Sequence, residues 1–136
     1  MLDLPTAVRD AIVSDAREGA PREVCGVFGG MFDAECSRVV SHYPARNAAA
    51  NALNRYRIDP EEQLELFERL EGRGEEIVGF YHSHPRGPPE PSATDVEAAA
   101  WPDRSYVIVS LEPTLEVGSW RWREDGQFDR EPLVVG

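Results

Sequence analysis

IVGFYHSHPRGPPEPSATDVEAAAW, residues 77–101, decides the fold. Its opening, Ile77 to His82, is an apolar run that ends on histidine, the pattern of a strand covered on both faces. A loop rich in proline follows, and SATDVEAAAW then reads as a short helix capped by Ser92. Strand, loop and helix in that order predict an α/β chain.

Working outward, Asp59-Pro60 starts a helix, DPEEQLELFERLEG, with Leu64, Phe67 and Leu70 on one side. RYRI before it predicts a brief strand, and PARNAAANALN, small and polar, a surface loop. EVCGVFGGMF and ECSRVVSHY are short, β-branched and aromatic, and an acidic turn around Asp33 joins them as a hairpin. In PTAVRDAIVSDAREG, Leu4, Val8, Ala11 and Ile12 recur at helical spacing, with Pro5 suited to the first turn and Gly19 to the stop. Downstream, SYVIVSL is a second buried strand, and LEVGSWRWRE and QFDREPLVV are terminal strands. The whole predicts a mixed central sheet with helices against it.

The 136 residues fit one domain, long enough to bury a core without staples. No stretch approaches the roughly 20 apolar residues that span a bilayer, and MLDLPTAVRDAI is too acidic and broken for a secretory signal. A soluble, cytoplasmic protein is expected, with Cys25 and Cys36 reduced and without metal-site C-x-x-C spacing. Twenty-five acidic residues against fourteen arginines and no lysine give a net charge of −11, which repels phosphate backbones, so nucleic acid is not an expected partner. The same composition suits a salt-loving cytoplasm, where carboxylates keep the chain hydrated and salt screens their repulsion.

Side chains alternate faces along a strand, so His82 and His84 project together while Ser83 points the other way. A helix opening at Ser92 carries Asp95 in its first turn, and the intervening loop is long enough to fold back over the strand end. Two histidines and a carboxylate make the ligand set of a catalytic zinc, which keeps its fourth position for water. The spacing alone equally allows packed histidines beside an ordinary Ser-x-x-Asp capping box.

His82-Ser83-His84, the seven residues from Pro85 to Pro91, Ser92, two residues and Asp95 resemble the signature of the JAMM metallopeptidases, the metal-binding members of the MPN (JAB) domain family. PREVCGVFGG supplies the upstream glutamate of that pattern as Glu23. The likeness runs over most of the chain, since the helix, the E-x-C-G strand, RYRIDPEEQL and YHSHP arrive in the family's order. It implies one MPN/JAB domain over residues 1–136, a mixed sheet flanked by helices in a cytidine-deaminase-like architecture.

The resemblance further implies one zinc ion per chain on His82, His84 and Asp95, its bound water acidic near neutral pH. Glu23 would act as the general base, and Ser92 would help stabilise the oxyanion. The bond cleaved would be a peptide or isopeptide bond after the C-terminal diglycine of a ubiquitin-like protein. Two settings are open: release of small modifiers from lysines, as in archaeal members, and release of an amino acid from a diglycine sulfur carrier, as in bacterial ones. The lysine-free acidic composition favours the first. A zinc deaminase would need H-x-E and P-C-x-x-C, and a zincin HExxH; none is present. A non-catalytic MPN binding module is the remaining alternative. Cys25 is expected to be a small core residue, His42 structural, and Trp120 and Trp122 packed.

Overall fold

In the computed structural model, which describes residues 1–136, the chain opens with a short strand, β1 (Leu2–Leu4), and turns at Pro5 into helix α1 (Thr6–Gly19). Leu4, expected on the helix, belongs to the strand, and Pro5 is the N-cap rather than a first-turn residue. Proline disfavours helical geometry in the residue before it, which fixes the boundary there. Val8, Ile12, Val13 and Ala16 are the buried face of α1.

The expected hairpin forms as β2 (Cys25–Met31) and β3 (Ser37–Ala45), paired antiparallel. RYRI is not a strand: between β3 and helix α2 (Pro60–Gly72) there is only the single bridge Asn47–Ile58. The Asn47 side chain takes the Arg55 carbonyl and the Arg57 N–H that a neighbouring strand would otherwise need. In α2 the buried face is Leu66 and Leu70, with Leu64 left 58% exposed. Asp59 caps this helix, accepting the Glu61 and Glu62 N–H groups, and Pro60 occupies its first turn.

Strand β4 (Glu76–Arg86), the short helix α3 (Ala93–Ala98) and strand β5 (Ser105–Glu112) realise the decisive stretch and its successor. The remaining strands are β6 (Glu116–Trp122), β7 (Phe128–Glu131) and β8 (Leu133–Val135). QFDREPLVV thus yields two strands, because Pro132 has no N–H for a ladder and breaks the run.

All eight strands form one sheet in the order β7-β6-β5-β4-β2-β3-β1-β8. It is mixed: β4 runs parallel to β5, and β1 parallel to β3 and β8, while the other pairs are antiparallel. β7 and β8 lie at opposite edges although Pro132 alone separates them, so the sheet must curl until its edges nearly meet. At that seam Arg121, 1% exposed, donates to Glu131 at 2.8 Å and to the main-chain carbonyls of Met1, Asp33 and Asp103.

One core cluster packs α1 on one face of the sheet, with Phe28, Val78, Tyr81 and Val107. The other packs Leu66 and Leu70 of α2 on the opposite face, with Val27, Phe80 and Tyr106. Burying each such side chain stabilises the fold by about 1.5–3 kcal/mol. The β2–β4 register passes from Phe28–Gly79 to Gly29–Ile77, which leaves Val78 as an unpaired bulge residue. The bulge resets the alternation, so Phe80, His82 and His84 all face the α2 side. Gly79 sits where a Cβ would strike the Ser105 carbonyl, which keeps β4 and β5 in close register. No helix is long and apolar enough to cross a membrane.

Candidate active site

The end of β4 delivers both imidazoles, and the first turn of α3 delivers the carboxylate. His82 Nε2 and His84 Nε2 lie 3.2 Å apart, and Asp95 Oδ2 is 3.1 Å from the first and 3.0 Å from the second. Ligand atoms held roughly 2.0–2.1 Å from a tetrahedral zinc stand roughly 3.3 Å from one another, close to this triangle. Glu23, in the segment leading into β2, completes the group: one ligand atom from each of the four buried residues lies within 4.8 Å of the others.

Local chemistry explains how each side chain is held. His84 Nδ1 donates to the Pro88 carbonyl at 3.0 Å, so in the neutral ring Nε2 presents its lone pair to the cluster. Ser92 and Asp95 form a full capping box: the Ser92 Oγ accepts the Asp95 N–H at 3.1 Å, and Asp95 Oδ2 accepts the Ser92 N–H at 2.9 Å. The capping box is therefore present in an aspartate whose Oδ2 also lies against both imidazoles. Ser83, on the opposite face of β4, accepts the Val24 N–H through Oγ at 2.8 Å and donates its own N–H to the Val24 carbonyl at 3.0 Å. The histidine strand is thereby tied to the residue next to Glu23.

The loop between His84 and Ser92 is fastened at three consecutive carbonyls: Ser110 donates to Gly87, His84 to Pro88, and Trp120 Nε1 to Pro89. Trp120 therefore packs, as expected, and also anchors this loop. Cys25 is buried with its thiol pushed up to about 12, by burial first and then by the Glu62 and Glu23 charges, which suits a core residue and not a nucleophile.

The electrostatics separate the groups. Burial raises the Glu23 carboxyl from 4.5 to about 7, with His84 pulling it down and Asp95 pushing it up. Burial lowers His82 and keeps it neutral. For His84, burial is outweighed by its bonds to Asp95 and Pro88, and the net shift is upward. Asp95 is held well below the carboxylate range, because hydrogen bonds from both histidines overcome the desolvation that would raise it. Glu23 Oε1 is buried without a partner, and two imidazole nitrogens face one carboxylate oxygen. A divalent cation with an open position fits this donor set.

The residues that sequence reasoning missed lie in the loop before α2. Tyr56 stacks on His82, ring centroids 4.3 Å apart and planes inclined by 22°. Asn47 donates to the Glu23 carbonyl at 2.9 Å. Tyr56 falls in the RYRIDPEEQL stretch that carries part of the family likeness, and Asn47 is one of three asparagines in an alanine-rich run, but neither is singled out by its residue type or spacing. Tyr56 also lines an apolar cavity of about 670 Å³ with Ile58, Phe80, Thr94, Trp101 and Tyr106, immediately beside the cluster.

Fold and site together define an α/β domain built around a buried His/His/Asp/Glu group. A family model described as prokaryotic homologs of the JAB domain matches residues 5–124, and the chain belongs to that family. A desampylase from Haloferax volcanii is 44% identical over 123 residues, 88% of this chain and 87% of that protein. A CysO-cysteine peptidase from Mycobacterium tuberculosis is 38% identical over 128 residues, 93% of this chain and 85% of that protein. The solution structure of a Desulfitobacterium hafniense protein superposes with a TM-score of 0.88 at 33% identity, covering all of this chain and 93% of the other. Relatives of these kinds make the chain a JAB-domain hydrolase.

Proposed function

We propose that the protein is a zinc-dependent peptidase of JAMM type. It cleaves the peptide or isopeptide bond after the C-terminal diglycine of a ubiquitin-like modifier and so releases the modifier from its conjugates. The observation that carries this is the convergence of His82, His84 and Asp95 beside the unpartnered Glu23 oxygen, in a chain 44% identical to a desampylase. His82 Nε2, His84 Nε2 and Asp95 Oδ2 would hold the zinc, which when bound would supply a Lewis acid and an acidified water.

This chain's own residues do the rest. Glu23, its carboxyl raised to about 7 by burial, is poised both to take a proton from the attacking water and to return it to the leaving amine. The Ser92 oxygen is occupied as an acceptor by the Asp95 N–H. Its hydroxyl hydrogen remains free to meet the negative charge that grows on the scissile carbonyl. Glycine in the substrate lets an extended tail pass close to such a buried cluster. The adjoining cavity gives the residues beside the tail apolar room.

A second substrate is supported by the CysO-cysteine peptidase relative: a diglycine sulfur carrier bearing a C-terminal amino acid. Both are tested on the purified, full-length protein. Zinc per chain is measured first, then cleavage of a diglycine-linked ubiquitin-like conjugate and of a carrier–cysteine adduct, each with and without chelator. One zinc per chain and chelator-sensitive cleavage of the conjugate are expected. Faster turnover of the adduct would move the chain to sulfur metabolism, and neither zinc nor cleavage would leave a binding module.

Ser92→Ala separates its two roles. The variant should keep its zinc, lose about 1 kcal/mol of stability with the cap and turn over roughly a hundredfold more slowly. Asp95→Ala should instead lose the metal. Wild-type kcat in Ser92→Ala, read beside its melting curve, would restrict Ser92 to capping.

A further inference from the structure

We propose that Asn47 is a positioning residue that sets both halves of the site, the Glu23 main chain and the His82 ring, through a single side-chain amide. The inference rests on the zinc-site assignment above. The loop joining β3 to α2 has no regular structure beyond one bridge, yet Asn47 uses its whole hydrogen-bonding capacity there. Its Nδ2 donates to the carbonyls of Glu23 and Arg55, both at 2.9 Å. Its Oδ1 accepts from the N–H groups of Ala49 at 3.0 Å and Arg57 at 3.1 Å.

Arg55 and Arg57 flank Tyr56, so the backbone on both sides of that residue is pinned to the amide. The Ala48 N–H adds a bond to the Arg57 carbonyl at 2.8 Å, and the Glu23 N–H one to the Ala52 carbonyl at 2.7 Å. The loop is thus stitched to the Glu23 segment at two points. What this fixes is the Tyr56 ring, 4.3 Å from His82. A metal-binding histidine is commonly oriented by a hydrogen bond from its other ring nitrogen. His82 Nδ1 has no such partner, so the stacked Tyr56 ring takes over the orienting task, and Asn47 holds Tyr56 in place.

Zinc affinity, measured by competition with a chromophoric chelator, tests this on the full chain. Tyr56→Phe keeps the ring and should bind zinc within about twofold of wild type, whereas Tyr56→Leu should bind about tenfold more weakly. Asn47→Ala should weaken zinc to a similar degree, and the double variant should be little weaker than either single one, because both act through one contact. Saturated with zinc, Asn47→Ala should still show a kcat about tenfold lower, since the Glu23 main chain has lost its anchor.

If circular dichroism shows Asn47→Ala unfolded, Asn47→Asp carries the same expectation, for it keeps both accepted bonds and loses both donated ones. Tyr56→Leu binding as tightly as wild type would overturn the inference alone, as would additive losses in the double variant. A wild-type protein that binds no zinc would remove the metal assignment and this inference with it.

Discussion

Glu23→Gln is expected to lower kcat on a diglycine-linked conjugate by about 10²- to 10⁴-fold, the contribution usual for a positioned acid–base group, while one zinc per chain remains. Glutamine preserves the shape of the side chain but can neither accept the proton of the attacking water nor return it to the amine. Zinc content and single-turnover rate on the same preparation check the two halves; loss of metal together with rate would make Glu23 a ligand instead of a base. The substitution also has a pH signature. Burial raises the folded-state carboxyl from 4.5 to about 7, so the native protein binds this proton more tightly than the unfolded chain does. By linkage, native stability then falls as pH climbs from about 4.5 to 7, and above 7 the cost of the buried charge is fully felt. Chelated Glu23→Gln should therefore be more stable than chelated wild type above pH 7, by on the order of 2 kcal/mol, and should match it near pH 4. Activity and stability move in opposite directions here, which a purely structural glutamate would not produce.

What could be read in advance follows from how local each constraint is. Strand, loop and capped helix from Ile77 to Trp101 announce themselves, because apolar continuity, prolines and a Ser-x-x-Asp cap act within a few residues. That stretch carries three of the four clustered side chains. Glu23 was legible only through the family pattern, since nothing near it distinguishes a buried carboxylate from a surface one. The part played by Asn47 and Tyr56 was not legible, because it depends on hydrogen bonds that cross the loop to Glu23 and on a ring contact with β4. β1 and β8 are three residues each, and they exist as strands only because β3 and one another supply partners. In α2, periodicity selected Leu64, Phe67 and Leu70; Leu70 is buried and Phe67 packs against the core, but Leu66 takes the place expected of the exposed Leu64, because tertiary packing decides which stripe of an amphipathic helix is covered. Arg121 stands between two tryptophans on a predicted terminal strand, and nothing local marks it as buried. Alternation places it on the same face as the buried Ser119, and the curl of the sheet brings the Met1 and Asp33 carbonyls onto it.

That burial sets up the largest stability effect. Glu131→Gln is expected to destabilise the protein by about 3–5 kcal/mol, read as a lower urea midpoint with little change in slope, because it strands the buried Arg121 charge. Glu131 accepts Arg121 Nε at 2.8 Å, Ser105 Oγ at 2.7 Å and Ser119 Oγ at 2.9 Å. The carboxylate thus fastens β5, β6 and β7 together on one side of the seam, and its 3.0 Å contact with the Met1 ammonium crosses it. Burial would raise its pKa, but Arg121 and Ser105 outweigh it and the net shift is downward. The ion pair therefore contributes fully above the ordinary carboxylate value of 4.5, and that contribution fades as pH falls below it toward the depressed folded-state value. The difference between wild type and Glu131→Gln should close accordingly in acid. Removing both charges, as in Arg121→Met with Glu131→Gln, should recover part of the loss but not all of it. The carbonyls of Met1, Asp33 and Asp103 would then have lost the guanidinium that serves all three. Ser105 pairs with Gly79, whereas His84 pairs with Ser110, five residues further along both strands. Each folded molecule of Glu131→Gln should therefore still bind one zinc with wild-type affinity. A weakened zinc site in that variant would mean that the seam and the cluster are mechanically coupled, and that the curl of the sheet helps to set the geometry at the end of β4.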